Sequence, residues 1–202
     1  MTAPSWLTAR PIAHRGLHDR TEGRIENSRS AARAAAQGGF AIECDVQLSA
    51  DGEAMVFHDF RLDRLTGETG ALRDRTAAEL AAIALTGSTD RIPALPDFLA
   101  LIDGRVPLVV EIKSAFDGDM RLARRAAEVV AASAAPVAIK SFDPDVIAFL
   151  RENRTPLGLA ATPLGVVAEA NYTHGEWAKL PPARQVELAN FLHFDRSRPD
   201  FL

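Results

Sequence analysis

The sequence predicts a parallel α/β protein, and three observations support this. Short runs rich in apolar and β-branched residues alternate with longer runs of helical periodicity, as in consecutive βαβ units. Residues 107–113 read Pro-Leu-Val-Val-Glu-Ile-Lys, a nearly continuous apolar run typical of a strand covered on both faces. The chain has 202 residues, of which 47% are hydrophobic and 25% charged, enough for one substantial core. We therefore expect a single domain over residues 1–202.

Six core strands are predicted in chain order, together with a short returning strand over residues 54–57. The six core strands cover residues 10–14, 40–48, 108–112, 136–139, 157–161 and 190–194. Helices are predicted from a cap at Asn27 or Ser28 to about Gln37, over residues 121–132, and after the Asp143-Pro144 pair. Residues 59–96 lack a regular period and contain several glycines and a capping box at 76–79, so we expect an insertion there.

Composition excludes several classes of protein. A net charge of −4 and a pI near 5.7 do not fit a protein that holds nucleic acid through its phosphates. With a single cysteine, Cys44, the chain can form neither an intrachain disulfide nor a cysteine-based zinc site. The sequence contains no uninterrupted apolar run of about 18 residues and no basic start followed by an apolar stretch. We expect no transmembrane segment and a cytoplasmic location.

Two acids in the second predicted strand indicate a cation site. Glu43 and Asp45 are two residues apart, so the geometry of a strand points both carboxylates to one face. Two carboxylates on an otherwise apolar face repel each other and persist most easily where a cation neutralises them. An all-oxygen ligand set favours Mg²⁺ or Ca²⁺. The alternative is that both acids lie on a solvated edge strand.

A tight turn at Asp51-Gly52 brings a histidine toward this pair. Hairpin pairing around that turn places His58 opposite Asp45, although a shift of one or two residues in register would weaken the argument. The alternative for His58 is an ordinary surface turn residue.

Three further candidates follow from strand ends. Glu111 lies near the end of a buried strand, where it could pair with Lys113 or act as a third metal ligand, leaving Lys113 for an anionic substrate. His14 and Arg15 end the first predicted strand, immediately before Gly16. Because active sites of parallel barrels gather at the carboxyl ends of strands, these residues should meet the acids.

Together these residues resemble the pattern of the glycerophosphodiester phosphodiesterase family. The ordered motifs are His14-Arg15-Gly16, Glu26-Asn27, Glu43-Cys44-Asp45, His58-Asp59 and Glu111-Ile112-Lys113, and Lys140-Ser141-Phe142 adds to the similarity. The resemblance is close over about residues 11–142 and looser beyond. It implies a TIM (β/α)8-type barrel with a small insertion, roughly residues 59–96, after the second strand.

The resemblance also implies a reaction. The family hydrolyses glycerophosphodiesters to glycerol 3-phosphate and an alcohol, which would make Glu43, Asp45 and Glu111 the ligands of Mg²⁺ or Ca²⁺. His14 and His58 would serve as the acid and the base, in either order, while Arg15 and Lys113 contact the phosphate. Alternatives are a lysophospholipid or another phosphodiesterase of the same superfamily, or a truncated protein that binds metal or phosphate without turnover.

Only six of the eight strands of such a barrel are predicted, so the last one or two βα units are expected to be missing. An incomplete barrel should expose an apolar seam, which would favour self-association, for example as a homo-oligomer.

Overall fold

The structure is a computed structural model that describes residues 3–202, except for the side chain of Glu176. It is an α/β structure with one six-stranded sheet. The strands are β1 (Ile12–Ala13), β2 (Ala41–Leu48), β3 (Ala54–Val56), β4 (Leu108–Ile112), β5 (Val137–Ser141) and β6 (Leu164–Val166). The α-helices are α1 (Arg29–Gln37), α2 (Ala77–Ala82), α3 (Leu95–Ile102), α4 (Arg121–Ala131), α5 (Pro144–Glu152), α6 (Pro182–Ala189) and α7 (Phe194–Ser197).

Five strands run parallel in the order β1-β2-β4-β5-β6, and β3 pairs antiparallel with β2. Helices α1, α3, α4 and α5 connect successive parallel strands, as expected for βαβ units. Within residues 3–202 the sheet is open, with β1 and β6 at its two sides. All parallel strands therefore end on one side, which is where functional side chains gather in such folds.

Capping residues mark where helices α1, α2 and α5 begin. Ser28 caps α1, its hydroxyl accepting a hydrogen bond from the Ala31 backbone N–H at 3.1 Å. Thr76 and Glu79 form the predicted capping box at α2. In α5, Asp143 is the cap and Pro144 the first helical residue.

No helix within residues 3–202 has both the length and the apolar character needed to cross a bilayer.

Strand residues alternate between two faces of the sheet. Ile42, Cys44 and Val46 of β2 join the large core between the sheet and the helices, and Leu108, Val110 and Ile139 do the same from β4 and β5. The intervening residues face the concave side, where Val109 and Ala138 pack with Leu7 into a smaller apolar cluster. Charged residues occupy this concave face closer to the carboxyl ends of the strands. Cys44 is fully buried, and burial raises the pKa of its thiol, so it is a core residue.

The insertion after β3 has an apolar cluster of its own. Its buried members are Ile25, Met55, Phe57, Leu62, Leu65, Leu72, Leu80, Leu85 and Ile92. The loose, glycine-containing segment therefore folds against β3 rather than extending into solvent. The helical segment after it, α3, was not predicted, because its start at Leu95 is marked only by Pro96 and not by a polar capping side chain.

The predicted hairpin register is wrong by one residue. Val46 pairs with Val56 and Leu48 with Ala54, so Phe57, not His58, follows opposite Asp45. The Phe57 N–H donates to the Asp45 carbonyl oxygen at 3.0 Å. The turn is one residue longer than assumed, because the Ser49 N–H donates to the Glu53 carbonyl oxygen at 2.9 Å and leaves the three residues 50–52 in the loop. His58 consequently lies just past the hairpin.

Two predicted strands in the last part of the chain are also wrong. Residues 157–161 form turns that continue from α5, since the Leu157 N–H donates to the Asn153 carbonyl oxygen, and the strand is instead Leu164–Val166. Residues 190–193 connect α6 to α7, and Phe194 is the first residue of α7. The apolar residues in this segment do not belong to a buried strand, since Leu192 is 67% exposed. Helix α6 was not predicted.

The two sides of the open sheet differ in their cover. At β6, Gly165 pairs in parallel with Phe201, and the Val166 N–H donates to the Phe201 carbonyl oxygen at 3.2 Å. At β1, Ile12 is 38% exposed. Self-association through an apolar seam stays a prediction.

Candidate active site

Strand register brings the charged residues into one row. Asp45 of β2 pairs with Glu111 of β4, and Glu111 pairs with Lys140 of β5. Side chains of directly paired residues point to the same face, so the three lie side by side on the concave surface. Glu43 lies two residues before Asp45 on that face. This row is at the carboxyl ends of the parallel strands, as predicted.

Glu43, Asp45 and Glu111 form a compact acidic triad. One carboxylate oxygen from each lies within 4.8 Å of the others, and the three residues are at most 3% exposed. Burial raises the pKa of Glu43, and the neighbouring carboxylates raise it further against the opposing effect of Lys140. Ionising all three groups together is therefore costly unless cations compensate their charge.

Two lysines supply part of that compensation. Lys113 Nζ lies 2.9 Å from Asp45 Oδ1 and also contacts Glu111. Lys140 Nζ lies 3.1 Å from Glu43 Oε1 and 3.0 Å from Glu111 Oε2. Although burial acts to lower the pKa values of both lysines, these carboxylates raise them. Two ammonium groups facing three carboxylates leave the triad with a surplus of negative charge.

The triad suits a divalent cation. Within the described residues, Glu43 Oε1 and Asp45 Oδ1 are buried and accept no hydrogen bond of good geometry, although a lysine lies near each. Buried carboxylate oxygens without hydrogen bonds are costly and are natural ligand atoms for a hard cation. The donor set, three carboxylates, fits Mg²⁺ or Ca²⁺ better than zinc.

Arg15 lies in a strained turn that aims its backbone and side chain at the acids. It has φ 59°, a left-handed conformation unusual for a residue other than glycine. Its N–H donates to Glu43 Oε2 at 3.0 Å, and its guanidinium lies 2.7 Å from Glu26 and 3.3 Å from Asp45. Gly16 follows, where a Cβ would lie 2.9 Å from the Ala31 side chain. The turn thus needs a glycine at 16 to pack on α1.

Asn27 orients Asp45. Its Nδ2 donates to Asp45 Oδ2 at 2.9 Å, and its Oδ1 accepts from the Asp45 backbone N–H at 3.2 Å. Burial acts to raise the pKa of the Asp45 carboxyl, but the Lys113 ammonium and the Asn27 hydrogen bond hold it below its usual value. Asp45 is therefore ionised and fixed in orientation.

The two histidines approach the triad from different loops. His14 is largely exposed, with Nε2 4.0 Å from Glu43 Oε2. His58 Nδ1 lies 2.8 Å from Asp59 Oδ1, and the His58 ring is close enough to contribute to the lowered pKa of Asp45. Since Nδ1 of His58 is engaged with Asp59, Nε2 is the ring nitrogen that can contact another group.

Comparison with known proteins identifies the family. A sequence profile described as the glycerophosphoryl diester phosphodiesterase family matches residues 14–192. This chain belongs to that family. All five motifs read from the sequence lie within the matched range.

Curated relatives carry corresponding names. The chain is 38% identical over 122 residues to "Probable glycerophosphodiester phosphodiesterase 2" of Mycobacterium tuberculosis, an alignment covering 56% of this chain and 43% of the relative. It is 36% identical over 111 residues to a glycerophosphodiester phosphodiesterase of Caldanaerobacter subterraneus, covering 51% and 44%. The aligned regions thus span less than half the length of these curated relatives.

Solved structures confirm the fold. A phosphodiesterase of Oleispira antarctica, in complex with the product sn-glycerol-3-phosphate, superimposes with a TM-score of 0.70 at 23% identity, covering 92% of this chain and 72% of that one. A glycerophosphodiester phosphodiesterase of Agrobacterium tumefaciens gives a TM-score of 0.63 at 26% identity, covering 81% and 65%. The barrel-type α/β prediction is therefore confirmed, with the sheet of residues 3–202 open.

A network of ion pairs lies behind His58 and Arg15, and the sequence did not predict it. Arg64 Nε donates to Asp59 Oδ2 at 2.6 Å, while its two terminal nitrogens donate to Glu26 at 2.9 and 2.7 Å. Burial acts to raise the pKa of Glu26, but hydrogen bonds from Arg64 and Arg15 lower it to about 2. Arg64 therefore links the partner of His58 to the partner of Arg15.

The structure brings together all seven residues predicted for the site, and it adds others. Lys140 was noted only as part of a motif, yet its place at the end of an apolar strand is the same signal that singled out Glu111. Arg64 lies in the insertion, where no strand end singles it out as a site residue. His193 is not a site residue: it is 1% exposed and its Nδ1 lies 3.0 Å from the Ser197 hydroxyl.

Proposed function

We propose that this chain hydrolyses glycerophosphodiesters to glycerol 3-phosphate and an alcohol, with a divalent cation bound by Glu43, Asp45 and Glu111. Family membership supports the reaction class. The single observation that supports cation dependence is the buried triad, whose oxygens lie within 4.8 Å of one another.

The cation would be Mg²⁺ or Ca²⁺, given the all-carboxylate donor set. When bound, such an ion polarises a phosphoryl oxygen and offsets developing negative charge. Lys113 and Lys140 already neutralise part of the triad, so a divalent ion would turn the local charge positive. A positive site suits an anionic phosphodiester.

Arg15 and Lys113 are proposed to bind the phosphate. Both side chains are half-buried, and both reach the triad, Arg15 at Asp45 and Lys113 at Asp45 and Glu111. Fixed cations beside the reacting phosphorus stabilise the extra charge of the transition state. The Glu26 carboxylate fixes the Arg15 guanidinium in place at 2.7 Å.

His14 and His58 are proposed to exchange protons with the substrate, one as base and the other as acid. His14 is exposed at the mouth of the site, whereas His58 is half-buried and is oriented by Asp59. Imidazole is the side chain that most often serves as a general acid or base in catalysis. The pair could serve attack by a substrate hydroxyl or by water.

A coupled assay for glycerol 3-phosphate on several glycerophosphodiesters tests the proposal. We expect product with Mg²⁺ or Ca²⁺, loss of activity after chelation by EDTA, and recovery when the ion returns. Full activity after exhaustive chelation would contradict the cation requirement. Formation of no glycerol 3-phosphate from any diester would contradict the reaction.

Cation binding needs a readout independent of turnover. A ligand that binds only the folded state raises thermal stability, so Mg²⁺ or Ca²⁺ should raise the melting temperature of the native chain. Glu111→Gln should abolish that increase. Glu128→Gln is a matched control, since Glu128 is an exposed acid on α4. A native chain that binds the ion but releases no product would instead be a binding protein.

A further inference from the structure

A cleft of about 320 Å³ opens directly beside the triad. It begins at Glu111 and Lys113 and extends away from the sheet. Its outer walls are Phe60, Phe116, Phe142, Trp177, Lys179 and Leu180. The volume falls at the lower end of the range for small-ligand pockets, about 300 to 1,000 Å³.

An aromatic wall forms one side of this cleft around Trp177. Its ring centroid lies 4.9 Å from that of Phe142, 5.3 Å from that of Tyr172 and 6.1 Å from that of Phe116. Edge-to-face and tilted packing at these distances is favourable for aromatic pairs. The wall joins residues from three connecting segments, which are β4 to α4, β5 to α5 and β6 to α6, into one apolar surface.

Arg184 fixes the segment that carries this wall. Its Nη2 donates to Asp143 Oδ1 and Asp145 Oδ2, each at 2.7 Å, which ties α6 to the start of α5. Its guanidinium also lies 5.5 Å from the centroid of the Phe116 ring. A wall held in this way is formed before a ligand arrives, and preorganisation reduces the entropy cost of binding.

The charges around the cleft disfavour a cationic occupant. Lys113 Nζ lies 5.9 Å from the Phe142 ring centroid, and Arg184 covers Phe116, so cations already interact with two of the rings. Lys179 adds a further cation to the lining. Among the described side chains of the lining, Glu111 is the one acid, and it is paired with Lys113 and Lys140. A quaternary ammonium group would be repelled here.

We propose that this cleft binds the alcohol side of the phosphodiester and selects an uncharged apolar group, either alkyl or aryl. The inference rests on the proposed function, because it takes the phosphate to lie at Arg15 and Lys113. Lys113 borders both the triad and the cleft. A substituent that extends from the phosphate past Lys113 therefore enters the cleft and contacts the aromatic wall. Trp177 is the main residue that determines this preference.

Three esters of sn-glycerol 3-phosphate test the proposal, namely those of methanol, 1-hexanol and choline. We expect kcat/KM for the hexyl ester to exceed that for the choline ester by about tenfold, since the cleft adds apolar contacts for one and repels the other. Equal values, or a preference for the choline ester, would overturn the proposal. A 1-acyl glycerophosphocholine, whose apolar chain is on the glycerol, distinguishes the other source of apolar character; preference for it over the hexyl ester would also overturn the proposal.

Trp177→Ala should reduce the ratio of kcat/KM for the hexyl ester to that for the methyl ester about tenfold. A purely structural role would lower both values together and leave the ratio unchanged, which would contradict the assignment. Trp6→Ala is the matched control, because Trp6 lines a separate cavity at the start of β5, at the opposite ends of the strands. That variant should keep the native ratio.

Fluorescence separates failure of this inference from failure of the proposed function. In a Trp6→Phe variant, Trp177 is the single remaining tryptophan of the chain. A change in its emission on adding the hexyl ester, without product, would disprove the reaction and support the cleft. Product without a hexyl preference would support the reaction and disprove the cleft. Neither signal nor product would disprove both.

Discussion

Two regions of the molecule contribute different chemistry to the candidate site. Strands β1, β2, β4 and β5 present fixed charges at or just after their carboxyl ends, and the register from Asp45 through Glu111 to Lys140 sets the spacing of the charged row. The region from β6 onward contributes Tyr172, Trp177 and Leu180, which are aromatic or apolar, on connecting segments. The comparison suggests that the strand ends determine the reaction, while the later region determines which substrate fits.

The regions are also held together differently. Backbone hydrogen bonds between neighbouring strands fix the charged row, so its geometry tolerates little displacement. Ion pairs fix the later region instead, such as Arg184 with Asp143 and Arg196 with Glu187 at 2.9 Å. We therefore expect substitutions at the strand ends to affect all substrates, and substitutions in the later region to affect some of them.

The largest effect is expected at the histidines. His14→Ala or His58→Ala should lower kcat about 10²-fold or more on every substrate, with folding retained, because each would remove one of the two proposed proton-transfer groups. Circular dichroism and steady-state kinetics on the variants measure both quantities. His18→Ala is the control, as His18 is exposed in a neighbouring loop. Activity within a few-fold of the native chain for either variant would remove that residue from the proposed pair.

The second-largest effect is expected on the stability of the fold, to which Glu26 contributes through its ion pairs with Arg15 and Arg64. Its pKa is about 2 in the folded chain, against an ordinary value of 4.5, so ionised Glu26 stabilises the fold above pH 4.5, and this contribution is lost as the pH falls toward 2. Glu26→Gln should cost about 2 kcal/mol at pH 7, with a difference from the native chain that shrinks below pH 4.5. Urea unfolding at several pH values measures it.

The matched control for this effect is Glu22→Gln, an exposed acid in the same loop, which should change stability by less than about 0.5 kcal/mol at pH 7. A Glu26→Gln difference of the same size at pH 3 and pH 7 would show that the charge of Glu26 is not the source of its contribution.

A smaller effect is expected at Arg64, which reaches the site only through Asp59 and Glu26. Arg64→Ala should lower kcat about tenfold. Arg64 orients the carboxylates of Asp59 and Glu26, and these carboxylates in turn hold His58 and Arg15. Added guanidinium should restore part of the activity, a result that loss of folding would not give. Arg61→Ala is the control, since Arg61 is exposed and pairs with Asp63 instead. An Arg64→Ala enzyme with native kcat would break the proposed link.

The smallest effect is expected in the later region. Leu192 is 67% exposed between α6 and α7, so Leu192→Gln should change the free energy of unfolding by less than about 0.5 kcal/mol. Thermal and urea unfolding measure the change. A loss of several kcal/mol would mean that this connection is as tightly constrained as the strand ends, and the contrast between the two regions would fail.

Much of the first region could be predicted from the sequence because its signals are local. The apolar run at 108–112, the cap at Ser28 and the capping box at Thr76 each specify their own element. In the later region, apolar residues at 157–161 and 190–194 suggested strands, but the first group packs in turns and part of the second is exposed. Apolar composition without a clear period does not distinguish these outcomes.

By itself, the sequence predicted the candidate site residues and the strand ends at which they lie. Alternation placed Glu43 with Asp45, and apolar strands ending in Glu111 or Lys140 placed charge at the carboxyl ends. Tertiary structure decided which of these groups touch. The register between strands, the link through Arg64 and the position of Trp177 depend on contacts between residues far apart in the chain, and no local propensity encodes them.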